Sequence, residues 1–426
     1  MDLSQLDDHQ RFAVKMIICY AIACIGFLIA VFALNLETEV IRDRYWKDAN
    51  PLFNGEIPIM EYPPFALIFM AIPRIFGWTP EAYEVCYVIE VFVFMVIGLY
   101  YTDKLAIHFG KNRKNSMLAY SVLMVLLLEF VTDRYDIFPA VLTLMSFYYF
   151  VKNRYVWAFV LIAVGMMTKL YPAMLFPIYW LLFAVKGEWK EAFRGTAVFI
   201  IATLAIVVPV MIIEPDMIWN FLNYHSDRPL QIETVAASLI YPFAMMGLIT
   251  VSITNAADPG SFGSDNLVGE IPDAIAGVLS PIMVACVLAV CFYFAFIYRK
   301  ADDCGRIKVL GYAVAGVMMV FMIFGKVFSA QYLIWVVCPI VSLMMFELDM
   351  FKGPLFKVTA ATFIMTQVNF VYNIGILHGG SNINDFGMII ILIRNILAIA
   401  MLYLIVKGMY DISKGVEIAE GDVPVQ

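Results

Sequence analysis

Residues 36–64 read LETEVIRDRYWKDANPLFNGEIPIMEYPP, and this stretch sets how the chain is arranged. It follows the first long apolar run, at 16–36, and it is far too polar to enter lipid. Gly55, Pro58 and the pair Pro63–Pro64 predict turns, because proline fixes φ and glycine permits positive φ. Since connections between helices are usually short, a long loop rich in acids and aromatic residues indicates a site at a membrane surface.

The composition is that of a polytopic membrane protein. The chain has 426 residues, of which 62% are hydrophobic and 15% charged, and its mean hydropathy is +0.83. A soluble domain carries roughly a quarter charged residues. The polar N-terminal segment has no small-residue cleavage site after the first apolar run, so this run is predicted to be an anchor rather than a removable signal.

Several classes of function are disfavoured by the sequence. The net charge of −7 argues against a nucleic-acid partner, and the seven cysteines contain no CxxC pair that would indicate a zinc site. No Walker loop, GxGxxG, GxSxG or HExxH pattern is present. ATP-driven pumping and serine or zinc hydrolysis are therefore unsupported, and we expect neither a cofactor nor a metal.

Twelve apolar runs are predicted to cross the membrane, with ends that extend into flanking polar residues where a run is short. They are 16–36, 83–101, 117–131, 137–151, 155–168, 170–185, 196–213, 274–298, 309–324, 332–346, 358–372 and 386–406. We therefore expect an all-α polytopic membrane protein that forms one domain over residues 1–426.

Orientation follows from the basic residues. With the N-terminus inside, twelve crossings place most Lys and Arg on the inner face, as the positive-inside rule requires. A further crossing at 234–254 would move the basic loop 299–308 outside. We interpret 234–254, and likewise 64–77, as helices that lie on or re-enter the outer face. Both termini are predicted to be cytoplasmic, and loops 36–82 and 214–273 to form the outer surface.

Three cations lie near the outer ends of predicted spans: Lys169, Lys326 and Arg394. Charges at the membrane are costly and are functional candidates by default. The three would repel one another unless an anion accompanies them, and the phosphate of a lipid-linked substrate is a natural partner for Lys and Arg. The alternative is that each side chain only reaches to the lipid headgroups.

Loop 36–82 offers a candidate general base that would activate an acceptor hydroxyl. Asp43 is flanked by Arg42, Arg44, Tyr45 and Trp46, partners expected to hold its carboxylate ionised and oriented. The alternative for any one acid is a solvated surface carboxylate. The competitors for the role of base are Asp48, Glu56 and Glu61.

Other polar groups have two readings each. Asp133, Arg134 and Asp136 form either a structural ion-pair turn or part of a sugar pocket, and we favour the pocket. Glu90 and Glu129 are expected to make hydrogen bonds between helices. A third cluster either stabilises its own loop or binds substrate, and its one histidine makes only a weak metal site. Its members are Tyr224, His225, Asp227, Arg228, Gln231 and Glu233.

A series of motifs follows in order along the chain: Asp43, Tyr45, Gly55, Pro58, Tyr62–Pro64, Arg134–Ala140, Lys169–Pro172, Asn223–Thr234, Lys326–Trp335, Met365–Asn373 and Leu392–Asn395. In this order the motifs resemble the GT-C membrane glycosyltransferases, and most closely glycosyltransferase family 87, the polyprenyl-phosphate-mannose type. Thr234 stands where the family pattern usually has Ser, a departure that keeps the hydroxyl.

The resemblance implies a bundle of about a dozen helices with its active site on the outer face. It implies inverting transfer of a hexose, with mannose as the family default, from a polyprenyl-phosphate carrier to a hydroxyl of a glycan, glycolipid or protein. Asp43 maps onto the base. We predict that the substrates are bound by Tyr45, Asp48, Glu61, Tyr62, Arg134, Asp136, Lys169, His225, Asp227, Arg228, Gln231, Glu233, Lys326, Gln331, Tyr332 and Arg394.

The main alternative is a transporter or flippase of lipid-linked glycans or other anionic substrates. It predicts internal repeats, broken helices and charges at the bilayer midplane, whereas the charges here lie at the outer edge and no repeat is evident. A non-catalytic scaffold would not need so polar an outer surface. A lipid-linked oligosaccharide polymerase or ligase would also gather cations outside, but is not expected to show the ordered motifs.

Overall fold

The computed structural model describes residues 6–34, 39–226, 228–256, 258–373 and 384–414. Almost all of the regular structure is helical, and the described residues fall into two compact units. Unit 1 comprises 6–222 and 334–350, and unit 2 comprises 223–333 and 351–414. The expectation of a single domain over residues 1–426 stays a prediction.

The elements of unit 1 begin and end as follows, with α11 passing its boundary. The helices are α1 Asp8–Leu34, α2 Trp46–Ala49, α3 Ala66–Phe76, α4 Pro80–His108, α5 Arg113–Leu126, α6 Leu128–Asp133, α7 Ile137–Val151, α8 Tyr155–Thr168, α9 Leu175–Lys186, α10 Trp189–Ile213 and α11 Pro215–Ser226. A π-helix spans Glu39–Tyr45, and short 3₁₀ turns span Asn50–Asn54 and Tyr171–Met174.

Unit 2 contains the three short strands and most of the remaining helices. They are β1 Leu230–Gln231, α12 Val235–Met245, β2 Ser252–Thr254, β3 Asn266–Val268, α13 Glu270–Lys300 and α14 Asp303–Ile323. After a 3₁₀ turn at Ala330–Tyr332, α15 Leu333–Met344 belongs to unit 1 from Ile334 onward, and α16 Pro354–Asn373 and α17 Asp385–Ser413 complete unit 2.

Unit 1 is held together by close packing of apolar helices. α4 packs against α5 and α7, and α7 packs against α8. Phe69 of α3 stacks on Phe138 of α7 with ring centroids 4.5 Å apart, and Phe94 of α4 meets Phe138 edge-on at 4.8 Å. Such aromatic pairs contribute about 0.5–1.5 kcal/mol beyond the area they bury, so α3, which follows the polar loop, is fixed to α4 and α7.

Unit 2 is organised around α14, which packs against α13 and α17. Its antiparallel sheet has the order β1-β3-β2, and Leu267 in the central strand pairs with Leu230 on one side and Ile253 on the other. Thr234 caps α12, because its side chain accepts a hydrogen bond from the backbone N–H of Ala237 at 3.1 Å. The hydroxyl kept at position 234 therefore has a structural use.

The all-α polytopic class is confirmed. Among the described residues, six helices are long and apolar enough to cross a membrane: α1, α4, α10, α13, α14 and α17. All twelve predicted runs fall largely in helices, although the run 117–131 is interrupted at Leu127 between α5 and α6. Both ambiguous segments contain a helix, α3 and α12, each only 11 residues long.

Candidate functional site

The loop-1 acids lie on an unusual helical segment. The π-helix Glu39–Tyr45 runs directly into the single turn of α2. π-Helical turns are rare in proteins, and those that occur are often found at functional sites. The side chain of Asp43 is 63% exposed, and its carboxylate pairs with the ammonium of Lys47 at 3.0 Å. An accessible carboxylate therefore projects from a helical segment rather than from irregular loop.

The arginines on either side of Asp43 do not form an ion pair with its carboxylate, so the expectation that they contact it directly is wrong. Arg42 pairs with Glu84 of α4, and Arg44 Nη1 pairs with Glu61 Oε1 at 2.6 Å. The reason is geometric, because consecutive side chains on a helix point in different directions, whereas residues four apart face each other. Lys47, four residues on, is the partner that this rule selects.

Asp48 differs from Asp43 in its surroundings. It is half-buried, and burial, reinforced by the nearby Glu61 carboxylate, raises the pKa of Asp48 to about 6, although the Arg44 guanidinium acts in the opposite direction. A general base works best when its pKa lies near the operating pH. Asp48 thus keeps its place as the alternative base.

Three tyrosines bring separate motifs together. Tyr45 is 1% exposed, and its hydroxyl accepts a hydrogen bond from the backbone N–H of Tyr135 at 3.3 Å. Tyr62, from the YPP motif, meets the Tyr135 ring edge-on with centroids 4.9 Å apart. The predicted residues Tyr45 and Tyr62 therefore lie against the turn at residues 132–136 (TDRYD). The Arg44–Glu61 pair adjoins them, because Arg44 also donates to the hydroxyl of Tyr62.

Asp136 is the centre of a buried polar cluster. It is 1% exposed, and its Oδ1 accepts hydrogen bonds from Lys169 Nζ at 2.5 Å and from Trp335 Nε1 at 2.6 Å. Trp335 stacks on Tyr171 at 4.1 Å, and Lys169 lies over the Tyr135 ring at 4.7 Å. The counter-charge that Lys169 was predicted to need thus comes, in part, from the protein.

Arg134 pairs with its neighbour Asp133 at 3.0 Å, so the TDRYD turn does contain a structural ion pair. Asp136, in the same turn, instead joins the cluster with Lys169. Trp335 is not among the predicted site residues, although it ends the motif Lys326–Trp335 (KVFSAQYLIW). Only the folded chain brings it to Asp136, 199 positions earlier.

In unit 2, Gln231 joins the second long loop to the KVFSAQY segment. Its side-chain oxygen accepts from the backbone N–H of Phe328 at 2.7 Å, its amide donates to Ser329 Oγ at 3.0 Å, and its own N–H donates to the carbonyl of Lys326 at 3.0 Å. These bonds give Gln231 a structural use. Gln331 and Tyr332 follow in a 3₁₀ turn, and both are half-buried.

Arg394 is fully buried, and Glu233 supplies anionic oxygen to it. Its guanidinium donates to the Glu233 carbonyl and lies 3.5 Å from the Glu233 carboxylate, while its Cζ sits 4.6 Å from the Phe328 ring centroid. Asn369 donates to the same carboxylate at 2.7 Å. Asn369 lies in the motif Met365–Asn373, but nothing in the sequence connects it with Glu233.

The remaining polar residues of the second loop are partly described. Arg228 donates to the Phe262 carbonyl at 3.3 Å and to Ser264 Oγ at 3.0 Å, and lies over the Tyr224 ring. These contacts fit the reading in which the loop stabilises itself. The side chain of His225 and the whole of Asp227 lie outside the described residues. Within the residues searched, no group of three or more His, Cys, Asp or Glu side chains could hold a metal ion.

Glu90 departs from expectation. It is 8% exposed, and neither of its carboxylate oxygens has a hydrogen-bond partner in the part of the chain that the structure describes. The predicted hydrogen bond between helices is therefore wrong for this residue. All seven cysteines lie in the described ranges, and none of them forms a disulfide bond.

Taken together, unit 1 offers an exposed carboxylate two residues before the buried Tyr45, a cluster of tyrosines around Tyr45, and a buried Asp–Lys–Trp group. Such a set is able to take a proton from a hydroxyl and to contact a sugar through aromatic faces and polar groups. Unit 2 offers a separate set of buried polar contacts around Gln231 and Glu233.

Comparison with known proteins gives one family. The family model described as Glycosyltransferase family 87 matches residues 61–325, which is more than half of the chain. No curated protein matches the sequence. The match includes Glu61, Asp136, Lys169 and Glu233, whereas Asp43 lies before it. The other predicted site residues beyond the matched range are Tyr45, Asp48, Lys326, Gln331, Tyr332 and Arg394.

Proposed function

The chain belongs to glycosyltransferase family 87, and from this premise we propose that it moves a hexose, mannose first among the candidates, from a polyprenyl-phosphate carrier to an acceptor hydroxyl. The coarser statement needs no proposal, because family membership and the long apolar helices make the protein an integral-membrane glycosyltransferase. Membership in a glycosyltransferase family also argues against the transporter alternative.

A lipid-phosphate donor suits an enzyme whose helices lie in the bilayer, because the sugar then arrives at the membrane surface on an anchored carrier. Lys169, in the same unit as Asp43, is the proposed source of positive charge for the departing phosphate. Asp136 holds Lys169 in a fixed orientation, which favours a preorganised over a mobile cation. The acceptor is a hydroxyl of a glycan, glycolipid or protein.

The observation that carries the proposal is the exposed carboxylate of Asp43 on its π-helix. In the proposed step, Asp43 takes the proton of the acceptor hydroxyl as the acceptor oxygen forms a bond to C1 of the sugar. The bond between C1 and the phosphate oxygen breaks, and the phosphate leaves with the electron pair. Attack opposite the leaving group inverts the configuration at C1.

The proposal is tested by transfer of radiolabelled mannose from a polyprenyl-phosphate-mannose donor in membranes, with wild type and Asp43→Asn at matched expression. We expect Asp43→Asn to lower transfer by at least about a hundredfold, since general-base catalysis contributes about 10²–10⁴-fold. Donor binding should be retained. Glu188→Gln, which neutralises an exposed acid just before α10, is the matched control and should transfer normally.

Three outcomes separate the parts of the proposal. Normal transfer by Asp43→Asn would contradict the assigned base and move the role to Asp48 or Glu61. Transfer from another polyprenyl-phosphate sugar, but not from the mannose donor, would change the sugar and keep the chemistry. No transfer by wild type from any polyprenyl-phosphate sugar would overturn the donor class.

A further inference from the structure

A buried ion pair lies one residue away from the proposed base. The guanidinium of Arg42 donates to Glu84 Oε2 from Nε at 2.7 Å and approaches it from Nη2 at 2.6 Å. The Glu84 side chain is fully buried and that of Arg42 is 26% exposed. Removing one partner of such a pair leaves a buried charge without compensation, which is strongly unfavourable. The pair therefore fixes Arg42 to α4.

Arg42 also contacts α1. Its guanidinium carbon lies 5.3 Å from the ring centroid of Phe32, near the end of that helix, a distance at which a cation and an aromatic face attract each other. One side chain of the π-helix is thus held by two helices at once. Glu84 itself was not signalled by the sequence, because it stands in an ordinary helical run.

The segment is held on the other side of Asp43 as well. Arg44 pairs with Glu61 at 2.6 Å, and Tyr45 is buried with its hydroxyl bonded to the backbone of Tyr135. Asp43 itself remains 63% exposed. An accessible carboxylate therefore sits between two arginines that are each attached to a glutamate elsewhere in unit 1.

We propose that Glu84, acting through Arg42, is a positioning residue that sets the direction of the Asp43 carboxylate during transfer. This inference rests on the proposed function, because it gives Asp43 the role of base. Glu84 takes no proton and touches no substrate. Its carboxylate holds Arg42, and Arg42 holds the turn from which Asp43 reaches the acceptor hydroxyl.

The test is steady-state transfer of mannose from the polyprenyl-phosphate donor by Glu84→Gln, a change that keeps the shape of the side chain. We expect kcat to fall about tenfold or more with the donor KM changed less than about twofold, because a displacement of about 1 Å at a reacting group can cost 10²-fold. Glu188→Gln, which neutralises an exposed acid just before α10, should leave both constants unchanged.

A second variant keeps the test decisive if Glu84→Gln folds poorly. Arg42→Gln combined with Glu84→Gln removes both charges, so that no charge stays buried without a partner. If the two residues act as a unit, the double variant loses about as much kcat as either single variant, whereas independent effects multiply. The fraction of protein that elutes as a single species in detergent reports folding for every variant.

The outcomes distinguish this inference from the proposed function. An active wild type, an inactive Asp43→Asn and a Glu84→Gln with normal kcat would overturn the positioning role and leave the base in place. A rise in donor KM with unchanged kcat would overturn it too, because that pattern means lost donor binding. An inactive wild type or an active Asp43→Asn would instead contradict the proposed function.

Discussion

Asp43 and Asp48 stand five residues apart on one short helical segment, yet their surroundings differ. Asp43 is mostly exposed and is paired with Lys47, whereas Asp48 is half-buried near the Glu61 carboxylate. Because burial disfavours the ionised form, Asp48 binds its proton more tightly in the folded chain than in the unfolded chain. Ionisation of Asp48 near neutral pH therefore acts against folding.

Asp48→Asn is expected to stabilise the protein at pH 7 but not at pH 4. The folded-state pKa of about 6 lies above the ordinary value of 3.8, so wild type loses stability as pH rises through this interval, and the amide does not. We expect the unfolding temperature of the variant to exceed that of wild type by about 2–4 °C at pH 7, with no difference at pH 4. Thermal unfolding in detergent across this range measures it.

The same variant separates the two candidate bases. With Asp43 as the base and Asp48 only a substrate-binding residue, Asp48→Asn loses much less transfer activity at pH 7.5 than Asp43→Asn does. A loss of transfer as large as that of Asp43→Asn would give the role of base to Asp48. An increase in unfolding temperature that is equal at pH 4 and pH 7 would show that ionisation of Asp48 is not the cause.

At the scale of elements, a close contact between two helices of unit 2 depends on the missing side chain of a glycine. Gly408 of α17 lies so near Tyr312 of α14 that a Cβ at this position would come within 2.4 Å of the tyrosine ring. No real Cβ tolerates such a distance, so an alanine here must push the ring or the two helices apart. Gly277 of α13, in contrast, has no atom within 4 Å of the position a Cβ would occupy.

Gly408→Ala is therefore expected to destabilise the protein, and Gly277→Ala is the matched control. Overpacking typically costs about 1–3 kcal/mol, whereas an alanine with room around it in a helix is neutral or slightly stabilising. The unfolding temperature and the fraction of monodisperse protein after extraction measure the difference. Equal behaviour of the two variants would contradict the close packing of α14 against α17.

At the scale of the whole molecule, the sequence predicts which loops face outward. We expect loops 36–82 and 214–273 on the outer face and the basic loop 299–308 inside. Cys304 is exposed in the first turn of α14, within the basic segment 299–308, and serves as the native inner probe. Glu56→Cys places a thiol in the exposed part of loop 1. A membrane-impermeant maleimide should label Glu56→Cys in intact cells and Cys304 only after permeabilisation.

Each labelling pattern has a defined meaning. Labelling of Cys304 in intact cells, with Glu56→Cys protected, would invert the topology and place the site on the inner face. Labelling of both thiols before permeabilisation would mean that the chain crosses the membrane an even number of times between positions 56 and 304, whereas the predicted topology has an odd number. Protection of both would place loop 1 inside.

The fold class was predictable because hydropathy depends on local sequence alone. All twelve apolar runs became largely helical, and even the two ambiguous segments contain helices. The break at Leu127 was not predictable, since nothing polar marks it. Hydropathy also does not determine which helices share a unit, because that depends on contacts between distant parts of the chain.

The sequence allowed the site residues to be predicted as members of motifs, but it did not show which residues pair with each other. The sequence drew attention to Asp136, Lys169, Glu233 and Arg394, and the structure pairs the first with the second and the third with the fourth. The predicted partner for these cations was a substrate phosphate, because a sequence shows charges without their separation. Trp335 could not be recognised from the sequence, because a tryptophan in an apolar run looks like an ordinary core residue. Only the folded chain shows that its indole N–H donates to Asp136.

Because Glu39–Tyr45 is wound as a π-helix, the direction in which the Asp43 side chain points depends on the number of residues that precede it in the segment. An α-helix turns by about 100° per residue, and a π-turn accommodates a further residue in each turn. Deleting one residue ahead of Asp43 would favour ordinary winding and swing the carboxylate to another side of the helix, with every anchoring residue unchanged in identity. The orientation of the carboxylate therefore depends on the length of this segment as much as on the identity of its residues.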